Sequence, residues 1–331
     1  VSEIEKLITA MDVAKHAGVS QSSVSRVYFE GATVSAKTRE KVLAAAKELG
    51  YRPNELARSL ITNRTKIIGI VMKGIQNPFY PQVLKQFTTT FKSLGYSIMF
   101  VYTNNDEIQK EDIDTLFNYN VAGVIITDAS LSLNAIEDFK KYKIPLVLFN
   151  RKIASNDFYS VCCNNLGASK EIAHYLIDKG STDIIYIAGN QNTSTSKERE
   201  QGFTEVLKKS NISLDIFGSD YTYEGGYRIA QQLINETRIP DAFFVANDIM
   251  ALGVLDALRE SSISIPKVTK VIGFDNIEMA SWPPYSLTTW AQPINEMVDQ
   301  TVVYLMSEIE EYTGFAENVE VNGVLVERKT T

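Results

Sequence analysis

The amino-acid sequence predicts a small all-α head joined to a large α/β body of two doubly wound lobes. Three observations carry this expectation. Between Thr9 and Gly50, helix-capping residues alternate with small apolar faces at helical spacing. From Lys66 onward, short β-branched runs without polar alternation recur between helical stretches, as in strands buried on both faces of a parallel sheet. With 331 residues the chain is long for one core, and the length of the body favours two such lobes.

The head starts with Thr9 and Asp12, a capping box that sets the first helix from Ala10. Val13, Ala14 and Ala17 form its apolar face, and Gly18 ends it by supplying a positive φ. Ser20 caps a second helix, on which Val24 and Val27 share one face and pack on the first. Ser22, Ser25 and Arg26 point the other way, with Gln21 in the exposed first turn. A helix that buries small aliphatics and presents Gln, Ser and Arg can lie in a DNA major groove, where Gln pairs with adenine edges and Arg with guanine edges. A plain helical hairpin with a solvated polar face is the competing explanation. A third helix, capped by Ser35 and stopped at Gly50, adds Val42, Ala45, Ala46 and Leu49 to the core. After Tyr51-Arg52-Pro53, Asn54 caps a helix of under two turns that reaches Leu60, too short to hold its shape alone in water.

Charge supports a division of labour. Up to Lys66 there are eleven basic and seven acidic residues, a net of +4; the whole chain carries -7, which leaves -11 on the body. A basic head on an acidic body suits a protein whose head alone approaches phosphates. The first twelve residues lack an apolar targeting core, and no apolar run approaches a membrane span, so a cytoplasmic chain without membrane contact is expected. Adjacent Cys162 and Cys163 have poor geometry for a disulfide; two ordinary thiols on a buried strand are expected over a redox pair.

In the body, strands are expected at 67–72, 96–102, 121–127, 144–149, 184–188, 242–246 and 268–274, with a last strand at 320–326. Helices are expected at 80–94, 165–179, 199–209, 227–236 and 248–260. Strand and helix alternate, which gives parallel sheets.

The run from Met11 to Leu60 resembles the DNA-binding head of the lactose-repressor (LacI–GalR) family. Asp12-Val13-Ala14, Ala17-Gly18-Val19-Ser20, Val24-Ser25-Arg26-Val27, Val34-Ser35, Thr38-Arg39, Gly50-Tyr51-Arg52-Pro53-Asn54 and Ala57-Arg58-Ser59-Leu60 carry the match. The body is similar to the same family through Asn77-Pro78-Phe79-Tyr80, Asn150-Arg151, Asn165-Leu166-Gly167-Ala168, Arg199-Glu200-Gln201-Gly202-Phe203, Asn247 to Gly253, Gly273-Phe274-Asp275 and Leu287-Thr288-Thr289. The resemblance implies a helix-turn-helix DNA-binding domain at 1–53 and a hinge helix with linker at 54–66. The body would be α/β and periplasmic-binding-protein-like, its N-lobe at 67–164 with 295–322 and its C-lobe at 165–294 with 323–331. Gln21, Ser22 and Arg26 would face bases in the major groove. Ala57 and Leu60 would belong to hinge helices that pair in a homodimer, enter the minor groove and wedge a base step.

Family positions that contact a small-molecule effector match Phe79, Asn150, Arg199, Tyr221, Asn247 and Asp275. Phe79, Asn150, Asn247 and Asp275 follow expected strands, the place where open α/β sheets bind ligands. Arg199 opens an expected helix, and Tyr221 lies in a loop. An aromatic ring with carboxylate, amide and guanidinium groups can hold the vicinal hydroxyls of a sugar, and the same set could hold a purine. Departures from the family pattern are Tyr28-Phe29 for Leu-Asn, Lys73-Gly74 for Pro-Asp, and Cys163-Asn164-Asn165 for Val-Asp-Asn.

The expected function is a ligand-responsive, sequence-specific transcriptional regulator, a repressor of carbohydrate-uptake or catabolic genes acting as a homodimer on pseudo-palindromic operator DNA. Its effector would be a sugar or sugar derivative, with a purine- or nucleoside-responsive, corepressed regulator as the alternative. An enzyme is the rival from another class. The sequence has no Gly-x-Gly-x-x-Gly, Walker, Cys-x-x-Cys or His-Glu-x-x-His motif and two histidines in all, so neither cofactor nor metal is expected. An exported solute-binding protein is argued against by the head.

Overall fold

The computed structural model describes residues 8–28, 33–52, 65–73, 75–103, 107–127, 131–152 and 158–331. The chain divides into two compact units, Val1–Thr65 and Lys66–Thr331. Ala57 and Leu60, with the whole expected hinge helix, lie outside the described residues, as do Phe29 and Gly74.

The head contains α1 (Ala10–Ala17), α2 (Gln21–Val27) and α3 (Ala36–Leu49). Thr9 and Asp12 exchange side-chain and backbone bonds in the expected capping box. Gly18 takes φ 65°, and its N–H donates to the Ala14 carbonyl; a side chain in that left-handed conformation would be strained. Ser20 and Ser35 each accept from a backbone N–H three residues on. Val13, Val24, Val27, Val42, Ala45 and Ala46 form the buried core, and the Tyr28 and Tyr51 rings close one side. Arg39 of α3 donates to the Val27 carbonyl at 3.2 Å, which ties α3 to the end of α2.

The body holds two six-stranded sheets. In chain order its strands are β1 (Ile67–Met72), β2 (Ser97–Tyr102), β3 (Gly123–Thr127), β4 (Leu146–Phe149), β5 (Tyr159–Cys163), β6 (Asp183–Ala188), β7 (Ser213–Gly218), β8 (Ala242–Val245), β9 (Lys270–Asp275), β10 (Thr288–Ala291), β11 (Asn318–Val321) and β12 (Val324–Val326). Its helices are α4 (Phe79–Ser93), α5 (Lys110–Asn118), α6 (Leu133–Tyr142), α7 (Asn165–Asp178), α8 (Ser194–Lys209), α9 (Tyr223–Asn235), α10 (Asp248–Glu260) and α11 (Ile294–Glu310). The N-lobe sheet runs β11-β5-β4-β3-β1-β2 and the C-lobe sheet β12-β10-β9-β8-β6-β7. All pairings are parallel except β10 with β12.

Three sequence-based expectations are corrected. The strand expected at 320–326 is two strands: β11 joins β5 in the N-lobe, β12 joins β10 in the C-lobe, and the chain crosses between sheets at Asn322-Gly323. Arg199 does not open a helix; α8 begins at Ser194 behind the Thr193 cap, which places Arg199 in its second turn. The run around 96–102 is not buried on both faces, because β2 is a sheet edge and leaves Phe100 and Tyr102 exposed.

Candidate ligand cleft and groove-reading helix

Each body sheet has one point where the strand order reverses, between β1 and β3 in the N-lobe and between β6 and β8 in the C-lobe. Loops leaving the carboxyl ends of strands diverge there and open a crevice. A cleft of about 580 Å³ lies at this level, lined from both lobes. The N-lobe supplies Asn77, Phe79 and Tyr80 after β1 and Asn150 to Lys152 after β4. The C-lobe supplies Arg199 from α8, Tyr221 after β7, Asn247 after β8 and Asp275 at the end of β9. All six effector candidates named from sequence therefore line one cleft.

Two charged residues that line the cleft, Arg199 and Asp275, are buried. Arg199 is 3% exposed, donates from Nε to Asn165 Oδ1 at 2.8 Å and from Nη1 to the Ala246 carbonyl at 2.6 Å, and lies over the Phe274 ring. Asp275 is 4% exposed; Gln292 donates to one carboxylate oxygen at 2.7 Å and Asn77 to the other at 3.2 Å. Burial pushes the Asp275 carboxyl above its ordinary range, and the Arg199 charge and the two amides work against that push. Because Asn77 belongs to the N-lobe and Asp275 to the C-lobe, their bond spans the cleft.

The other four residues divide by role. Phe79 is fully buried at the start of α4 and meets the Tyr80 ring edge-on at 5.2 Å, so it shapes the wall from behind. Asn247 caps α10 by accepting from the Met250 N–H, and donates to the Tyr221 carbonyl at 3.3 Å, which holds the loop carrying that ring. Asn150 donates to the Tyr80 hydroxyl at 3.4 Å, while its Oδ1 is buried with no partner among the described residues. The Tyr221 hydroxyl is likewise buried and unpartnered. Its ring lies over Gly189, where a Cβ would stand 1.9 Å from Tyr221 Cζ; glycine is required for that close approach.

Three cleft residues are among the ten described non-glycine residues with positive φ. Asn150, Tyr221 and Asp275 have φ of 58°, 65° and 122°, values that side chains other than glycine rarely adopt. Such strain persists where the surrounding structure over-determines it, commonly at ligand sites. Sequence reasoning left Tyr80, Gln292 and Lys152 out of the site. Tyr80 adjoins Phe79 in the Asn77-Pro78-Phe79-Tyr80 match, a signal that could have included it.

On the head, Gln21, Ser22, Ser25 and Arg26 are exposed while Val24 and Val27 are buried, so α2 separates a polar face from its packed one. The Ser22 hydroxyl pairs with that of Ser20 at 2.8 Å. Cys162 and Cys163 are both buried on β5 as free thiols, pushed by burial up to about 12 and about 11, far from thiolate reactivity. Among the described residues, no group of His, Cys, Asp or Glu could hold a metal ion, and no helix is long and apolar enough to cross a membrane.

Comparison with known proteins agrees with both units. Residues 9–54 match the signature of bacterial regulatory proteins of the lacI family, and residues 173–331 that of a periplasmic binding protein-like domain. The chain is 32% identical to the HTH-type transcriptional repressor PurR of Photorhabdus laumondii subsp. laumondii, over 98% of this chain and 97% of that protein. It is also 32% identical to the ribose operon repressor of Escherichia coli (strain K12), over 97% of this chain and 99% of that one. Its fold superposes with a TM-score of 0.88 on the Lac repressor dimer bound to operator and the anti-inducer ONPF, at 28% identity, covering 98% of this chain and 99% of that one.

Proposed function

The chain belongs to the lacI family of bacterial regulatory proteins, and from that premise we propose that it represses carbohydrate-uptake or catabolic genes under the control of a sugar or sugar derivative bound between its lobes. Two copies act as a homodimer on a pseudo-palindromic operator in the cytoplasm, because a twofold protein matches twofold DNA. Gln21, Ser22 and Arg26 of each head read base edges in the major groove. Ala57 and Leu60 belong to hinge helices that pair in the minor groove, and ligand in the cleft alters whether they pair. The chain is a sensor and not an enzyme, as its relatives are repressors.

The observation that carries the choice of ligand is the convergence of Arg199, Asp275, Asn150 and Tyr221 in one cleft. A carboxylate accepts from a sugar hydroxyl, a guanidinium donates to one, and the unpaired Asn150 Oδ1 and Tyr221 hydroxyl take further hydroxyl groups. A ligand rich in hydroxyls satisfies this set more fully than a flat base does. The ribose operon repressor, named for a sugar operon, is among the full-length relatives.

The test is a thermal-shift panel of pentoses, hexoses, sugar phosphates, nucleosides and purine bases on the wild type and Asp275→Ala. A sugar should raise the melting temperature of the wild type and leave the variant unmoved. Stabilisation by purines alone would replace the sugar with the purine alternative. Turnover of any sugar would remove the sensor reading.

A further inference from the structure

A line of polar contacts runs from both lobes to the guanidinium of Arg199. Lys152, in the N-lobe loop after β4, holds its ammonium between two carboxylates: Glu198 of α8 in the C-lobe, at 2.8 Å, and Glu320 of β11 in the N-lobe. The Lys152 N–H donates to Ser194 Oγ at 3.0 Å, and the neighbouring Arg151 donates to Thr195 Oγ1 at 2.9 Å, so this loop is also tied to the first turn of α8. Glu198 accepts with its other oxygen from Asn165 Nδ2 at 3.4 Å. Asn165 in turn accepts from Arg199 Nε. Asn165 opens α7 directly after the first chain crossing, and Glu320 lies two residues before the crossing at Asn322-Gly323.

The Lys152 side chain is 14% exposed and that of Glu198 24%, so their attraction is screened less than that of a surface pair. Burial disfavours the ammonium, yet bonds to Glu198 and Glu320 keep its affinity for the proton above the ordinary value. The lysine is thus charged and held on both sides of the interlobe joint.

We propose that Lys152 is a positioning residue: with Glu198 and Glu320 it clasps the two lobes beside their crossings, and through Asn165 it fixes Arg199 toward the cleft. The clasp sets the resting angle between the lobes, from which ligand-driven movement starts. Only the Arg199 step rests on the ligand-cleft reading; the clasp itself is measurable without ligand.

The experiment is pulsed electron spin resonance on the full-length protein, with spin labels at Asp114→Cys in the N-lobe and Lys208→Cys in the C-lobe, both on exposed positions. The native thiols are buried and do not compete for label. K152Q and E198Q should each lose the wild-type interlobe distance peak, and the reversed pair K152E/E198K, which keeps one cation among two carboxylates, should recover it. The control is K170Q, which breaks the 2.8 Å ion pair of Lys170 with Glu205 inside the C-lobe and should leave the peak unchanged. Superimposable distributions for wild type, K152Q and E198Q, or an equal shift in K170Q, would overturn the proposal. Because no ligand is added, failure here leaves the sugar reading standing, and failure of the sugar panel leaves the clasp standing.

Discussion

The guanidinium carbon of Arg199 stands 3.5 Å from the ring centre of Phe274, and the residue after that ring is Asp275. The cation is thus held by a π-face below, an amide and a carbonyl at its edge, and a nearby carboxylate. Such an arginine is part of the core as well as of the site. Arg199→Ala should therefore lower the stability of the body by about 3 kcal/mol, the upper end for one substitution that breaks a buried hydrogen-bond network, and should also abolish the thermal shift caused by sugar. Chemical denaturation together with the shift assay checks both effects; a fully stable variant would show that the core role is absent.

Asp248 should contribute to the way stability depends on pH. It is wholly buried, accepts from the Thr289 hydroxyl at 2.5 Å and from the Ile277 N–H at 2.9 Å, and its carboxyl is pushed well above the ordinary range by burial and by the Asp275 charge. Folding raises this carboxyl's affinity for its proton, so between the unfolded and the folded pKa the native state binds more protons than the unfolded one. Stability then falls as pH rises through that window. Asp248→Asn keeps an acceptor for Ile277 and removes the titration. Melting temperatures measured from about pH 4 to pH 8, spanning the range above an ordinary carboxyl, should decline less steeply in the variant. Equal slopes would mean that Asp248 does not contribute.

Gly189 and Tyr221 form a second pair in which one residue exists for the other. Gly189→Ala leaves the Tyr221 ring no space and should displace the loop held by the Asn247 amide. Affinity for the stabilising sugar should drop at least tenfold, about 1.4 kcal/mol, with little change in operator affinity without sugar. Titration calorimetry and a DNA-binding assay separate the two quantities.

On the DNA side, Arg26→Ala should cost about 1–3 kcal/mol against the selected operator and much less against random DNA, because base contacts specify while phosphate contacts position. A variant that still discriminates would remove Arg26 from base reading.

Much of this architecture was legible in the sequence because its signals are local. Thr9, Ser20 and Ser35 announce helix starts through their own side-chain bonds, and Gly18 and Gly50 announce stops through positive φ. Strands such as β1, β3 and β8 show as unbroken apolar runs, and the family resemblance, with four residues standing after expected strands, marks the cleft residues. What local pattern could not show was pairing. Val321 and Val324 fall within the single strand expected at 320–326, yet they join different sheets, since neighbours in space decide that split. For the same reason the run at 96–102 reads like the strands buried on both faces, although among the described residues β2 pairs with β1 alone. The start of α8 was missed because Ser194 to Glu198 carry no apolar signal; a Thr193 cap and contacts to Arg151 and Lys152 settle it. Nothing local marks Lys152, because Glu198 and Glu320 stand 46 and 168 residues away in the chain.

Ligand in the cleft should change how tightly the heads hold DNA. Fluorescence anisotropy of the full-length protein, on a pseudo-palindromic site selected from random DNA, measures this with and without a saturating amount of the stabilising sugar. The wild-type operator Kd should change by about tenfold or more, within the usual range of allosteric coupling, and that of Asp275→Ala should not change. An identical wild-type Kd in the presence and absence of the sugar would contradict coupling between cleft and heads.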